Sequence, residues 1–114
     1  MASFAHLTPD QARAMLEQSE QESPVIADIR DSRSFASGHI VGSVPLHQGN
    51  LQDFVLHQPS EKPVIVVCYH GISSQNAAQF LVDQGFATVY SLDGGFTQWQ
   101  AVFPELVTHD SDEG

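Results

Sequence analysis

The only cysteine in the chain stands at the end of its most apolar run, and the residues that follow carry the chemistry the sequence offers: Val67-Cys68-Tyr69-His70-Gly71-Ile72-Ser73-Ser74. A β-branched strand ends at a thiol, a short loop with one glycine follows, and two hydroxyl residues open a helix. Sites in α/β sheets lie beyond the carboxyl ends of the strands. A thiol placed there faces the amino end of a helix, whose free N–H groups and dipole favour negative charge. Both effects lower the pKa of a cysteine and favour the thiolate, the nucleophilic form. The same amides can hold an anionic substrate or a charged sulfur adduct. Taken alone, Cys68 also reads as a small buried hydrophobe; the attached loop and helix start favour the reactive reading. His70 reads as a solvent-facing loop residue shaping the pocket, since an amide-stabilised thiolate needs no base. Gly71 is expected to take a positive φ or to admit a ligand close to the backbone. Ser73 and Ser74 read as N-caps, as donors to sulfur or substrate, or as both.

The elements that must position this loop follow from pattern. Thr8-Pro9-Asp10-Gln11 opens a first helix with a capping box and proline at its first position. Glu17 to Ser23 is a polar loop. Val25 to Ile29 is a buried strand ending at Arg30, and Asp31 or Ser32 starts a short helix through Phe35 that closes near Gly38. Val41 to Leu46 is extended, and Asn50 to His57 is a helix with Leu51, Phe54 and Val55 inward. Val64 to Val67 reads as a central parallel strand. Ser73 to Gln84 is a helix packed by Ala77, Ala78, Phe80, Leu81 and Val82, with Gly85 as its stop. Thr88 to Tyr90 is a strand. Asp93-Gly94-Gly95 turns into a last helix carrying Phe96, Trp99 and Phe103, which Pro104 ends. Strands alternating with helices predict an α/β domain with a mostly parallel sheet.

Composition narrows the partners. The chain has 114 residues, 41% of them hydrophobic and 16% charged, which fits one globular domain. One cysteine excludes an internal disulfide framework and any multi-thiolate metal site, and it suits a reducing cytosol. The six histidines (His6, His39, His47, His57, His70 and His109) show no paired metal spacing, so neither metal nor cofactor is expected. The net charge is −10, with Arg13, Arg30, Arg33 and Lys62 the only formal cations. Four scattered cations make no basic stripe, so nucleic acid and anionic membrane surfaces are unlikely partners. The amino-terminal residues show no signal peptide, and no apolar run approaches a membrane span. A cytoplasmic monomer is the expectation.

Three separated motifs carry a resemblance. Ile26-Ala27-Asp28-Ile29-Arg30 with Ser34-Phe35-Ala36-Ser37-Gly38-His39-Ile40, the loop from Cys68 to Ser73, and Ser91-Leu92-Asp93-Gly94-Gly95-Phe96 with Trp99 together resemble the rhodanese family of thiosulfate sulfurtransferases, in its single-domain bacterial form. The resemblance implies a rhodanese-like three-layer fold with a five-stranded sheet flanked by helices. It spans residues 20–108, with residues 1–19 as a strand and helix packed on the same domain and 109–114 as a flexible acidic tail. It implies that Cys68 takes sulfane sulfur from thiosulfate as a persulfide, that Tyr69, His70, Gly71, Ile72, Ser73 and Ser74 form the binding loop, and that the acceptor is cyanide, a dithiol or a thiol protein such as a thioredoxin. Asp28 and Arg30 match positions expected to support the loop; Gly38 and His39 match structural ones.

A second implied role is a persulfide relay fed by a protein donor. A cysteine-dependent phosphatase of related fold would need an arginine at the loop end; Ser74 stands there, and no arginine follows Cys68. Many rhodaneses also carry arginine where this chain has Ser73, a serine that single-domain bacterial members share. Without a guanidinium fork, thiosulfate meets only neutral donors. The Michaelis constant for thiosulfate is therefore expected at about 1 mM or above, at the weak end of the enzyme range. Steady-state cyanolysis at ordinary salt measures it, and a micromolar value would overturn the expectation.

Overall fold

The computed structural model describes residues 3–18 and 23–110. The described residues form seven strands, five α-helices and one 3₁₀ turn. They are β1 (Ala5–Leu7), α1 (Pro9–Leu16), β2 (Val25–Asp28), α2 (Ser32–Ser37), β3 (His39–Ile40), β4 (Val44–Pro45), α3 (Leu51–His57), β5 (Val64–Val67), α4 (Ser73–Asp83), β6 (Val89–Leu92), α5 (Gly95–Val102), the 3₁₀ turn Pro104–Leu106, and β7 (Val107–Thr108).

Five strands form one sheet in the order β1-β6-β5-β2-β4, and every pairing in it is parallel. The β5 run Val64-Ile65-Val66-Val67 lies at the centre, buried throughout, as a strand covered on both faces must be. Its period of two divides the core. Ile65 and Val67 face one layer with Leu7, Ala12, Ile40, Phe96, Trp99 and Phe103. Val64 and Val66 face the other with Leu46, Ala78, Leu81, Val82 and Phe86. Helices thus cover both faces, giving three layers.

Local signals set the helix starts. The Thr8 hydroxyl accepts from the Gln11 amide at 3.2 Å while the Gln11 side chain accepts from the Thr8 amide at 2.9 Å, a reciprocal capping box. Asp31 caps α2 by accepting from the Ser34 amide at 2.9 Å.

The structure departs from the expected elements in several places. Val41 to Leu46 is not one extended piece. A turn at Gly42 separates β3, which pairs antiparallel with β7 in a small second sheet, from β4, which joins the main sheet beside β2. The strand expected at Thr88 to Tyr90 runs instead from Val89 to Leu92 and so delivers Ser91 into the interior. Phe103 lies one residue past α5 yet still packs edge-on against Trp99, with ring centroids 5.1 Å apart. Asp110 donates its amide to the Ala36 carbonyl at 2.9 Å. The rest of the expected acidic tail, and residues 19–22 of the expected polar loop, lie outside the described residues.

Phe80 is 41% exposed rather than packed. The buried stripe of α4 is Ser74, Ala78, Leu81 and Val82, spaced i, i+4, i+7, i+8. Phe80 sits off that stripe. Leu81→Ala is therefore expected to destabilise by about 2–5 kcal/mol, through lost burial and the cavity left behind. Phe80→Ala should cost under about 1 kcal/mol. Urea titration with an unchanged slope checks the contrast, and equal losses would place the inward stripe elsewhere.

Candidate active site

Cys68 follows β5 directly and is 3% exposed. Its sulfur sits inside a turn of backbone amides. The Gly71 amide donates to Sγ at 3.1 Å and the Ser74 amide at 3.2 Å. The Ser74 hydroxyl lies 3.2 Å from Sγ and 2.7 Å from the hydroxyl of Ser91 on β6. Burial pushes the thiol pKa up and is the largest single influence on it. The Ser74 hydroxyl and the amides of Ser74, Gly71 and His70 together outweigh burial and hold the thiol below its ordinary value.

The loop carbonyls are held from outside, and one of the peptides so fixed, Tyr69–His70, carries the His70 amide that favours the thiolate. At the amino end of α5, Phe96 donates its amide to the Cys68 carbonyl at 2.8 Å and Thr97 donates to the Tyr69 carbonyl at 3.1 Å. The Gln75 side chain donates to the Gly71 carbonyl at 2.8 Å. This contact requires glycine at both sides. Gly95 has φ +60, and a Cβ there would lie 2.5 Å from both the Cys68 and the Tyr69 carbonyl oxygens. Gly71 has φ +86, and a Cβ there would meet the Gly94 nitrogen at 2.8 Å. Gly71 thus takes the positive φ read from its place in the loop.

The expected loop residues divide sharply in the structure. Gly71 and Ser74 touch the sulfur. Tyr69, His70, Ile72 and Ser73 are exposed around it. Neither serine is the N-cap of α4: that position is Ile72, which has no side-chain cap, and Ser73 and Ser74 occupy the first helical positions. The Ser74 hydroxyl is turned inward to sulfur instead of outward to helix amides.

Asp28 and Arg30 form a buried pair, 0% and 7% exposed. The guanidinium meets Asp28 through Nε at 3.1 Å and Nη2 at 2.9 Å, and Nη2 also donates to the Gly38 carbonyl at 2.6 Å. Neither side chain hydrogen-bonds Cys68. Arg30 reaches the site through its faces: its guanidinium carbon lies 4.1 Å from the Phe96 ring centroid and 5.7 Å from that of Tyr69. It braces the loop and the start of α5 together.

Sequence reasoning missed three contributors. Asp31 and Ser34 hold the outer edge of the loop: the Tyr69 hydroxyl donates to Asp31 Oδ2 at 2.5 Å and lies 2.8 Å from Ser34 Oγ. That bond from Tyr69, with the Ser34 amide, lowers the Asp31 carboxyl from 3.8 to about 2. Ser91 is the third; its inward placement on β6 was masked because the strand was read as ending at Tyr90.

The comparisons accord with this geometry. Residues 8–102 match the family model described as Rhodanese-like domain. A Stutzerimonas stutzeri protein named thiosulfate sulfurtransferase GlpE is 49% identical over 99% of this chain and 100% of its own. A protein of the same name from Shewanella oneidensis is 52% identical over 87% of this chain and 95% of its own. Among solved structures, the rhodanese-like domain of an Anabaena protein aligns with a TM-score of 0.80 over 100% of this chain and 87% of that one, at 21% identity.

The clash at Gly95 supplies a test of the site. Gly95→Ala is expected to push the Cys68 and Tyr69 carbonyls away from α5, shift the loop and its His70 amide relative to Sγ, and raise the thiol pKa toward its ordinary value. The pH midpoint of iodoacetamide alkylation should then rise relative to the parent. An unchanged midpoint in a folded variant would mean that the α5 contact does not set the thiol.

Proposed function

The chain belongs to the rhodanese-like domain family, and we propose that within it the protein is a thiosulfate sulfurtransferase whose nucleophile is Cys68. The observation that carries the reading is the buried sulfur of Cys68 enclosed by the Ser74 hydroxyl and the Ser74 and Gly71 amides, all within 3.2 Å of it.

The steps balance without a cofactor. The Cys68 thiolate attacks the outer sulfur of thiosulfate. The sulfur–sulfur bond of thiosulfate breaks, its electron pair leaves with sulfite, and Cys68 becomes a persulfide. An acceptor thiolate or cyanide then attacks the terminal sulfur, and Cys68 is restored as thiolate. In each step negative charge moves along a sulfur–sulfur axis. Amides already fixed around that axis stabilise it with no reorganisation at the moment of transfer. Tyr69, His70, Gly71, Ile72, Ser73 and Ser74 form the binding loop in this reading, and Asp28 with Arg30 supports it from below.

Neither Arg30 nor Arg13 is free to hold the anion. Arg30 is committed to Asp28 and Gly38. Arg13 bonds Glu105 at 3.4 Å and stacks over Phe103. No arginine follows Cys68 in its loop, which also weighs against phosphoryl chemistry.

The acceptor side favours a protein thiol such as a thioredoxin. Ile72 is 73% exposed and Tyr69 42% exposed beside the sulfur, an apolar rim that a small anion does not need. The same rim suits a persulfide relay with a protein donor. The reading is of a cytoplasmic monomer without nucleic-acid or membrane partners. The acidic charge supports that, as does the absence among the described residues of any helix long and apolar enough to cross a membrane. The domain is read as residues 20–108, with 1–19 and 109–114 flanking it.

Incubation with thiosulfate is expected to add one sulfur atom to the intact mass, to release sulfite in equal amount, and to map the gain to Cys68. Cys68→Ser should abolish both. A gain only when a cysteine desulfurase supplies the sulfur would favour the relay. No gain from either donor would overturn sulfur transfer itself.

A further inference from the structure

The Ser74 hydroxyl bridges Cys68 Sγ and the hydroxyl of Ser91, and all three groups are buried. Ser74 and Ser91 are each 0% exposed, so no bulk water substitutes for either partner. A hydroxyl holds a single proton and donates in one direction at a time. While Cys68 is a thiol, its S–H donates to Ser74 Oγ, and Ser74 then donates onward to Ser91. When Cys68 is a thiolate, Sγ can only accept. Ser74 must then turn its proton toward sulfur, and its oxygen needs a new donor. The Ser91 hydroxyl, 2.7 Å away, is placed to supply it. Both serines keep one proton throughout; the thiol proton leaves to solvent, and only the direction of the chain reverses.

We propose that Ser91 is a positioning residue for sulfur transfer: by donating to the Ser74 hydroxyl it commits that hydroxyl to the Cys68 sulfur in the anionic states of the reaction. This deepens the sulfurtransferase reading and rests on it for its role in turnover. The geometry excludes direct action, because the hydrogen-bond partner of Ser91 Oγ is Ser74 and not Sγ. A terminal persulfide sulfur leaves Sγ with no proton to give, so the same reversed chain applies in that state. Ser91 comes from β6, the strand between β1 and β5, and its inward face is fixed by the parallel register that sets Ser91 opposite Val66. The chain thus links the sulfur to a rigid element of the sheet instead of to another loop.

The test is a double-mutant cycle read by the pH-rate profile of iodoacetamide alkylation of Cys68. Ser91→Ala is expected to raise the pH midpoint and to slow alkylation at neutral pH about 3- to 10-fold, the loss of one neutral hydrogen bond to the chain. In the Ser74→Ala background the same change at Ser91 should alter the rate less than about twofold, since the intermediary is already gone. A merely structural serine would instead give the same shift in both backgrounds, or no shift in the midpoint. Ser91→Thr, which keeps the hydroxyl, should retain the parent profile. A raised midpoint in a folded Ser91→Thr overturns the proposal even where Ser91→Ala does not fold. Alkylation needs no thiosulfate. A cycle that holds in a protein that accepts no sulfur would sink the functional reading alone, and turnover with a flat cycle would sink the role of Ser91 alone.

Discussion

The site depends on the backbone contact between the amino end of α5 and the loop after β5. Phe96 and Thr97 donate their amides to the carbonyls of Cys68 and Tyr69, and the second bond fixes the peptide whose His70 amide favours the thiolate. A loop of this length has many conformations of similar energy. Capping its carbonyls with amides that a helix start leaves unpaired selects one of them and satisfies both elements at once. The helix that does the capping is itself fixed by burial, with Trp99 wholly enclosed and Phe96 buried under Arg30. Packing in one layer of the fold therefore bears on where the loop lies around the sulfur. The Asp28–Arg30 pair belongs to the same chain of causes. Its charges are buried and mutually satisfied, and the guanidinium bears on Phe96 and Tyr69, one from each side of the contact.

A protein of net charge −10 stabilises a thiolate here because local donors outweigh the distant field. Amides at about 3 Å in a site shut off from water act at close range, whereas exposed carboxylates act through solvent and salt. The carboxylate of Asp31 is part of the tether and not of the cradle. The bond from Tyr69 favours its ionised form and lowers its pKa from the ordinary 3.8 to about 2. That stabilisation is present above pH about 4 and is lost as pH falls toward 2, and the outer edge of the loop stays fastened throughout the neutral range.

Much of this was legible before the structure. The β-branched run Val64 to Val67, the capping box at Thr8 and the glycine pair at Gly94 and Gly95 each specify local geometry by residue type alone. The strand-loop-helix order then places Cys68 at a carboxyl strand end. What stayed hidden depends on distant residues. Nothing near Asp31 in the chain indicates that Tyr69, 38 positions away, donates to it. The second sheet rests on two-residue strands, too short for periodicity to reveal. Ser73 and Ser74 read as equivalent caps, yet one is exposed and the other enclosed. A one-residue difference in helical phase, about 100°, decides between them, and only the packing of α4 on the sheet sets that phase.

Ser73 at the loop end, in place of a guanidinium, fits this arrangement. A guanidinium would bind thiosulfate before transfer and sulfite after it, because the two dianions offer similar oxygens to a fork. Binding of that uniform kind lowers the Michaelis constant without lowering the barrier. The amides and the Ser74 hydroxyl act elsewhere, on Sγ, where charge is present in the thiolate, is drawn off during attack and returns when the acceptor takes the sulfur. Losing the fork therefore costs affinity for both donor and product while the groups that attend the moving charge remain in place. The chain keeps the part of the apparatus whose interaction changes along the reaction and dispenses with the part whose interaction does not.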